Sequence, residues 1–381
     1  MRLPKYFEKS IGGNVAEGDN EGTIQERIER RLFPVVDATS DNFLREVSLL
    51  QRLFERTESL YKPIRDTIQA VGGTRQSEDA LVLSMISRPT KIDYPPGTRL
   101  DATLKPRRLP TFMVTESVSE QALTDDRAKY ISDLDWAAKS RPDIVVFNEL
   151  GYPEGQKGLL DGARAAFEND IQKFCDKSGS VVISGSHHDD ECYNVSLIYS
   201  PGQNIIRHLK LHSALNVGER IALPESTTFS LYQYSGEIFS VLICVDAFIP
   251  SLAMRLARLN HVNNRKNLGT DRVSFVLVPA FSPQKSQMVA EACCDISILA
   301  DCVVGMVNCA EAEPALSLFC GGHEWHINAR KDPIVRAISD DKKSVTVELS
   351  AATIAQIRAE NAKRSSGLLD MVRGPHTQRI D

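Results

Sequence analysis

The chain has 381 residues, of which 42% are hydrophobic and 25% charged, and its formal net charge is −5. These values are typical of a globular protein and argue against a disordered one. The length allows two or three domains. Because the net charge is slightly negative, it gives no general support for binding to nucleic acids or to anionic membranes.

No targeting or membrane segment is predicted. No apolar run approaches the roughly 20 residues that a membrane helix needs, and the first residues lack the apolar core of a signal peptide. The eight cysteines are scattered without the spacing of a disulfide framework. We therefore predict reduced thiols in a cytoplasmic protein.

The first part of the chain, residues 1–105, is predicted to be a helical extension and linker. Helical spacing of apolar residues is found in three stretches, 23–33, 40–71 and 77–87. Pro63 is expected to break or kink the second helix, and Ser77 to cap the third. Residues 88–110 are rich in proline and basic residues, which is typical of an extended connector.

The remainder, residues 106–381, alternates between two kinds of pattern. Amphipathic helices are predicted over 120–140 and 159–179. Short apolar runs predict strands over 111–117, 143–150, 180–188, 193–212, 238–246, 273–280 and 302–309. Strands separated partly by helices and partly by turns indicate a layered α/β domain with a mixed sheet.

Three reactive side chains stand at the ends of predicted strands: Glu149, Lys210 and Cys244. Each alone has an ordinary structural explanation: a solvated carboxylate, a surface lysine and a buried core thiol. Together they suit nucleophilic catalysis. A carboxylate can deprotonate the thiol, the thiolate can attack an amide or nitrile carbon, and an ammonium can stabilise the negative charge that develops. This chemistry requires no metal and no organic cofactor.

Four segments resemble motifs of the nitrilase, or carbon–nitrogen hydrolase, superfamily, over residues from about 110 to about 350. The segments are DIVVFNELGYPEG, IIRHLKLHSAL, NVGERIALP and SVLICVDAFIP. The resemblance implies that Glu149 is the base, Lys210 the stabilising lysine and Cys244 the nucleophile. It also implies that Glu219 is a second glutamate that helps to position the site. The sequence departs from the family pattern at Asn148, where the family has proline.

The resemblance implies a fold, an activity and an assembly. The fold is a nitrilase-type four-layer αββα sandwich with mixed sheets, formed when two αββα-type halves dimerise, or a larger oligomer. The activity is hydrolysis of a non-peptide carbon–nitrogen bond, in an amide or a nitrile, through a thioester on Cys244. The implied partners are a small-molecule substrate and further copies of the chain, with no cofactor and no metal.

Other interpretations stay open. The chain could be a catalytically silent or regulatory subunit that keeps the fold for protein interactions, for which the N-terminal helices would supply a docking surface. It could also be an acyl-transferring variant, in which a nucleophile other than water resolves the thioester. Residues 185–194 contain a His-His-Asp-Asp-Glu-Cys run that could suggest a metal site. Since adjacent residues in a turn rarely converge on one ion, a polar loop between strands explains this run better.

Overall fold

The computed structural model of the chain describes residues 65–350, with gaps at 74, 76, 78–79, 91, 94–112, 115–119, 154–160, 190, 192, 215–218, 220, 223–227, 266–272, 321–322, 326–334 and 342–343. The described residues all belong to one compact unit, Arg65–Ala355. The helices predicted over 23–33 and over the part of 40–71 that precedes residue 65 lie outside the described residues and stay predictions.

The N-terminal half of the described chain contains nine strands and two helices. In chain order they are β1 (Arg65–Ala70), β2 (Ala80–Ile86), β3 (Ile92–Asp93), β4 (Met113–Val114), α1 (Glu120–Ala138), β5 (Ile144–Phe147), α2 (Asp161–Ser178), β6 (Val181–Ile183), β7 (His187–His188), β8 (Asn194–Tyr199) and β9 (Ile206–Leu209). Both helices were predicted from the spacing of their apolar residues, and both are confirmed.

The C-terminal half adds eight strands, a short 3₁₀ helix and two α-helices. They are β10 (Thr228–Tyr234), β11 (Glu237–Val241), the 3₁₀ helix Cys244–Phe248, α3 (Pro250–Arg265), β12 (Val273–Pro279), α4 (Ser286–Leu299), β13 (Val303–Val307), β14 (Leu316–Cys320), β15 (His323–Trp325), β16 (Val335–Asp341) and β17 (Ser344–Ser350). Of the helices that the structure describes, none combines the length and apolar character needed to cross a bilayer.

The strands form two large mixed sheets. The first sheet has the order β1-β10-β11-β12-β13-β14-β15, with parallel pairing of β1 with β10 and of β12 with both β11 and β13. The second sheet has the order β16-β17-β2-β5-β6-β8-β7, with β9 paired to β8 and with β5 parallel to β2 and β6. Strands β3 and β4 pair separately.

The sheets and helices stack in four layers. Helices α1 and α2 pack against the second sheet, where Tyr130, Phe147, Phe167 and Tyr199 belong to one buried apolar cluster. Helices α3 and α4 pack against the first sheet, and the two sheets face each other through β12 with β5 and β13 with β2. This αββα arrangement confirms the predicted fold. All four layers come from one chain, so the sandwich does not depend on the dimerisation that the resemblance implied; a dimer or a larger oligomer of the chain stays a prediction.

Two stretches predicted as helical are strands. Residues 80–86 form β2, which is buried along its whole length, and 65–70 form β1, which pairs with β10. Strand β2, which is covered on both faces, is a continuous apolar run without a period of two, and such a run is easily mistaken for a buried helix. Strand β1 is a polar edge strand in which Ile68 is exposed, and its structure comes from pairing with β10, which the local pattern does not show. Both strands precede the predicted domain boundary at residue 106, and they pair with strands that follow it.

Candidate active site

Glu149 follows a strand that is buried along its whole length. Strand β5 leads into Asn148, which is fully buried and precedes Glu149. The Asn148 side chain accepts a hydrogen bond from the backbone N–H of Arg88 (2.6 Å) and donates one to Thr90 Oγ1 (3.1 Å). A proline at this position would have no polar side chain to make these bonds. Asn148 therefore joins the segment after β2 to the end of β5, directly beside Glu149.

Cys244 lies where the chain leaves the first sheet. Strand β11 ends at Val241, and Cys244 begins the 3₁₀ helix with a φ of 48°. This left-handed conformation costs a non-glycine residue about 1–2 kcal/mol, and such residues cluster at functional sites. Leu150, next to Glu149, is also left-handed, with a φ of 58°. The backbone is therefore strained at the thiol and beside the carboxylate.

Lys210 follows β9 and reaches both glutamates. Its backbone N–H donates to the Asn194 carbonyl (2.9 Å), which fixes the residue beside β8. Its Nζ lies 2.6 Å from Glu149 Oε1 and 2.7 Å from Glu219 Oε2. The three side chains are almost completely enclosed, with exposures of 1% for Lys210, 3% for Glu149 and 4% for Glu219. One buried ammonium therefore bridges two buried carboxylates.

Glu219 is surrounded by hydrogen-bond donors. Its Oε2 accepts from Lys210 Nζ and from the Ala214 backbone N–H (2.8 Å). Its Oε1 accepts from Asn194 Nδ2 (3.0 Å) and lies 3.3 Å from His188 Nε2. Burial would raise the pKa of Glu219, but the hydrogen bond from His188 and the charge and hydrogen bond of Lys210 lower it below the ordinary value. Glu219 is therefore an ionised anchor for the lysine.

Glu149 is held differently. Its Oε1 accepts from Lys210 Nζ and from Asn194 Nδ2 (3.0 Å), and its Oε2 accepts from the Phe281 backbone N–H (2.9 Å). The carboxylate also shares a hydrogen bond with the Cys244 thiol. Of the two glutamates, Glu149 is therefore the one in contact with the nucleophile candidate.

The two members of this contact have raised pKa values. Burial raises the pKa of Glu149 above its ordinary 4.5; the charge of Lys210 opposes the shift and the charge of Glu219 adds to it. Burial also raises the pKa of the Cys244 thiol, and the neighbouring Glu149 carboxylate raises it further. Burial alone would lower the pKa of Lys210, but Glu149 and Glu219 raise it, so the lysine stays charged. An isolated Cys244 would thus stay protonated at neutral pH, and its activation needs an adjacent base.

The loop that supplies the Phe281 N–H is held by a buried asparagine. Asn308, after β13, accepts from the Ser282 backbone N–H (2.8 Å) and donates to Ser286 Oγ (2.9 Å). These bonds tie the segment after β12 to the start of α4. The Phe281 N–H is thereby fixed toward Glu149.

Asp246 connects the thiol segment to the lysine segment. It is buried within the 3₁₀ helix, and its carboxylate accepts from the Leu211 backbone N–H (3.0 Å) and from His212 Nδ1 (2.8 Å). Cys244 is two residues before Asp246, and Lys210 immediately precedes Leu211. This contact sets the position of one reactive segment relative to the other.

The structure brings all four predicted site residues into one buried cluster. Sequence reasoning missed the asparagine and the histidine that complete it. Asn194 opens a buried strand, and a polar residue in such a place was the available signal. His187–His188 belongs to the predicted strand 180–188 rather than to the polar loop, and it pairs with β8 as strand β7, which places His188 beside Glu219. Within the described ranges, no group of three or more His, Cys, Asp and Glu side chains could hold a metal ion.

Comparisons with known proteins bear on the fold. No family model and no curated protein matches the sequence. Among solved structures, XC1258 from Xanthomonas campestris, a CN-hydrolase superfamily protein with an arsenic adduct in its active site, is 17% identical, with a TM-score of 0.51 over 76% of this chain and 97% of that one. Nit3 of Saccharomyces cerevisiae, a member of branch 10 of the nitrilase superfamily, is 14% identical, with a TM-score of 0.48 over 81% and 98%. An amidase from Nesterenkonia sp. is 10% identical, with a TM-score of 0.46 over 77% and 99%.

At these identities the likeness concerns the fold, and XC1258 is the match on which that conclusion rests. The two mixed sheets and the four helices around them agree with it. The chain therefore has the fold of the nitrilase, or carbon–nitrogen hydrolase, superfamily, as its sequence motifs predicted.

Proposed function

We propose that this chain is a carbon–nitrogen hydrolase that cleaves a small amide or nitrile through a thioester on Cys244. The observation that carries the proposal is the buried contact between Cys244 and Glu149, with Lys210 bridging Glu149 and Glu219. Perturbed ionisable groups that converge in this way are characteristic of active sites. Burying three charged side chains is also costly, and a purely structural role would be served better by apolar residues.

In the first half of the reaction, Glu149 takes the proton of the Cys244 thiol and the thiolate attacks the carbon of the amide or nitrile. The new S–C bond moves an electron pair onto the oxygen or nitrogen of the substrate. In an amide, the protonated Glu149 then gives its proton to the departing amine, the C–N bond breaks and a thioester remains. In a nitrile, the protonated Glu149 gives its proton to the nitrogen and a thioimidate forms; one water then adds to its carbon, the C–N bond breaks, ammonia leaves and the same thioester remains. At rest the thiol is protonated and the carboxylate is ionised. The raised pKa of Glu149 suits this step, because it makes the carboxylate a stronger base toward a thiol whose own pKa is also raised.

Lys210 has one N–H group for the developing charge. An ammonium has three donors, and in the described structure two of them go to Glu149 and Glu219. The third is left for the oxygen or nitrogen that gains the electron pair. Because Lys210 is held by two carboxylates before the substrate binds, little reorganisation is needed when the charge forms.

In the second half, Glu149 accepts a proton from water, and the hydroxide attacks the thioester carbon. The C–S bond breaks, the acid product leaves, and Cys244 recovers its proton. With an amide, Glu149 therefore acts as a base twice and as an acid twice; a nitrile requires one further activation of water. Glu219 takes no proton in either half, because donors fill both of its oxygens.

The test is ammonia release from a panel of small amides and nitriles. We expect turnover by the wild type and a loss of about four orders of magnitude or more in Cys244→Ala, as is typical when an activated nucleophile is removed. Cys293→Ala is the matched control, because Cys293 is another buried cysteine, in α4, and lies outside the proposed site. Full activity of Cys244→Ala, or a folded wild type that hydrolyses no member of the panel, would contradict the proposal.

A further inference from the structure

Asn194 makes a second bridge between the two carboxylates. It is fully buried at the start of β8. Its Nδ2 lies 3.0 Å from Glu149 Oε1 and 3.0 Å from Glu219 Oε1, so both N–H groups of the amide serve carboxylate oxygens. Lys210 Nζ bridges the same pair. The site therefore contains one charged bridge and one neutral bridge.

The carbonyl oxygen of the Asn194 side chain indicates that the role of this residue lies in its two N–H donors. Its Oδ1 has no hydrogen-bond partner among the described residues, although it is buried. An unsatisfied buried acceptor costs free energy, which a simple packing role would avoid by using an apolar side chain. The orientation of the amide is fixed by chemistry, since Oδ1 would repel the two carboxylate oxygens.

The neutral bridge stabilises the ionised forms of both glutamates without changing the charge of the site. Four groups besides Asn194 act directly on Glu149: the Lys210 ammonium, the Glu219 carboxylate, the Cys244 thiol and the Phe281 N–H. A second cation next to Glu149 would oppose its return to the protonated acid. An amide donates to the carboxylate more weakly, so the proton can still move between Glu149 and Cys244.

We propose that Asn194 is a positioning residue that orients Glu149 toward Cys244 and favours its ionised form. This inference rests on the proposed function, in which Glu149 is the base for Cys244. Asn194 acts through Glu149 and Glu219 and needs no contact with the substrate.

The test measures the rate at which iodoacetamide alkylates Cys244, as a function of pH and with no substrate present. In the wild type, the rate falls on the acid side as Glu149 becomes protonated and stops accepting the thiol proton. Asn194→Leu has nearly the same size but donates no hydrogen bond. We expect the midpoint of its acid limb to move to higher pH by about one unit, the size of one lost hydrogen bond to an ionised group.

Two further variants make the result specific. Asn194→Asp adds a third carboxylate to the cluster and is expected to shift the midpoint at least as far upward, so it also tests the proposal if the leucine variant does not fold. Ser196→Ala is the matched control: Ser196 is a buried residue on the same strand and face whose Oγ has no partner among the described residues. Its midpoint should stay at the wild-type value.

The outcomes separate this inference from the proposed function. If Glu149→Gln keeps the wild-type acid limb, Glu149 is not the base and the proposed function itself fails. If Glu149→Gln removes the limb but folded Asn194→Leu and Asn194→Asp keep the wild-type midpoint, the role of Asn194 alone is wrong. A uniform loss of rate with an unchanged midpoint would indicate a purely structural residue.

Discussion

Two of the cations that the described part of the chain buries, Arg88 and Lys210, are surrounded in opposite ways. Arg88 is 4% exposed, but its carboxylate partners, Asp126 and Asp133, lie on α1 with exposures of 48% and 36%. Lys210 is 1% exposed, and its partners Glu149 and Glu219 are as buried as the lysine itself. Water can therefore screen the partners of Arg88, whereas those of Lys210 are almost completely enclosed by the described residues.

This difference separates a structural ion pair from a reactive one. The Arg88 guanidinium lies over the Tyr130 ring, 5.1 Å from its centroid, and joins the end of β2 to α1. Around Lys210, burial shifts the pKa values of Glu149 and of Cys244 upward; a neighbouring carboxylate adds to each shift, and the charge of Lys210 opposes both. Partners that can be solvated hold a cation in place, while partners that cannot be solvated change each other's chemistry.

The largest effect is expected when Lys210, the cation with buried carboxylate partners, is replaced. Lys210→Met leaves two buried carboxylates without their counter-charge, so we expect unfolding to become easier by about 3–5 kcal/mol and turnover to be lost. Urea denaturation measures the first and ammonia release the second. Adding Glu219→Gln should recover part of the stability, because it removes one unpaired charge. A Lys210→Met protein as stable as the wild type would show that the enclosed pair is not strongly coupled.

Glu149→Gln is expected to have the second-largest effect. It keeps the shape of the side chain but cannot accept the thiol proton, so turnover should fall by about two to four orders of magnitude. Circular dichroism should show an intact fold. A variant that keeps more than a tenth of the wild-type rate would show that Glu149 is not the general base.

The pH dependence of the wild type should follow Glu149. Because activity needs the ionised carboxylate and burial raises its pKa, the midpoint of the fall in activity with decreasing pH should lie above 4.5, the ordinary value for a glutamate. The rate of ammonia release across the acidic range measures this limb. A midpoint at or below the ordinary value would mean that the charge of Lys210 outweighs burial.

The smallest effect is expected at Arg88, the cation whose carboxylate partners are exposed to water. Asp133→Asn removes one half-exposed partner of Arg88 and should lower the free energy of unfolding by about 0.2–1 kcal/mol. Turnover and its pH profile should not change. A change in the pH profile would mean that the two clusters are coupled, for example through the Arg88 backbone N–H that donates to Asn148.

The sequence was most informative where a reactive residue follows a buried strand. Glu149, Lys210, Cys244 and Glu219 could be found because their segments combine an apolar run with a motif. Strand β2 could not be identified as a strand, since its apolar run has no period that distinguishes a strand from a helix. Helix α3 was also missed, although its proline at the first position is a common helix start.

The supporting residues of the site could not be predicted from the sequence, for a different reason. Asn194 and His188 touch the glutamates only because β7 and β9 both pair with β8, and this pairing is a property of the folded sheet. Asn148 was recognised as a departure from the family pattern, but its hydrogen bonds to the segment after β2 required that β2 be known as a strand. Long-range pairing, rather than local pattern, decides which polar residues meet.

The most direct test of the central claim is the intact mass of Glu149→Gln after exposure to an amide or nitrile that the wild type hydrolyses. With its base removed, this variant should form the thioester slowly, through the small fraction of Cys244 that ionises unaided. It should hydrolyse the thioester more slowly still, because water is a weaker nucleophile than a thiolate, so a long exposure should accumulate an acyl adduct. The adduct should map to Cys244 and be absent from the Glu149→Gln/Cys244→Ala double variant. An adduct on another residue, or turnover that persists in Cys244→Ala, would contradict the claim that Cys244 is the nucleophile and Glu149 its base.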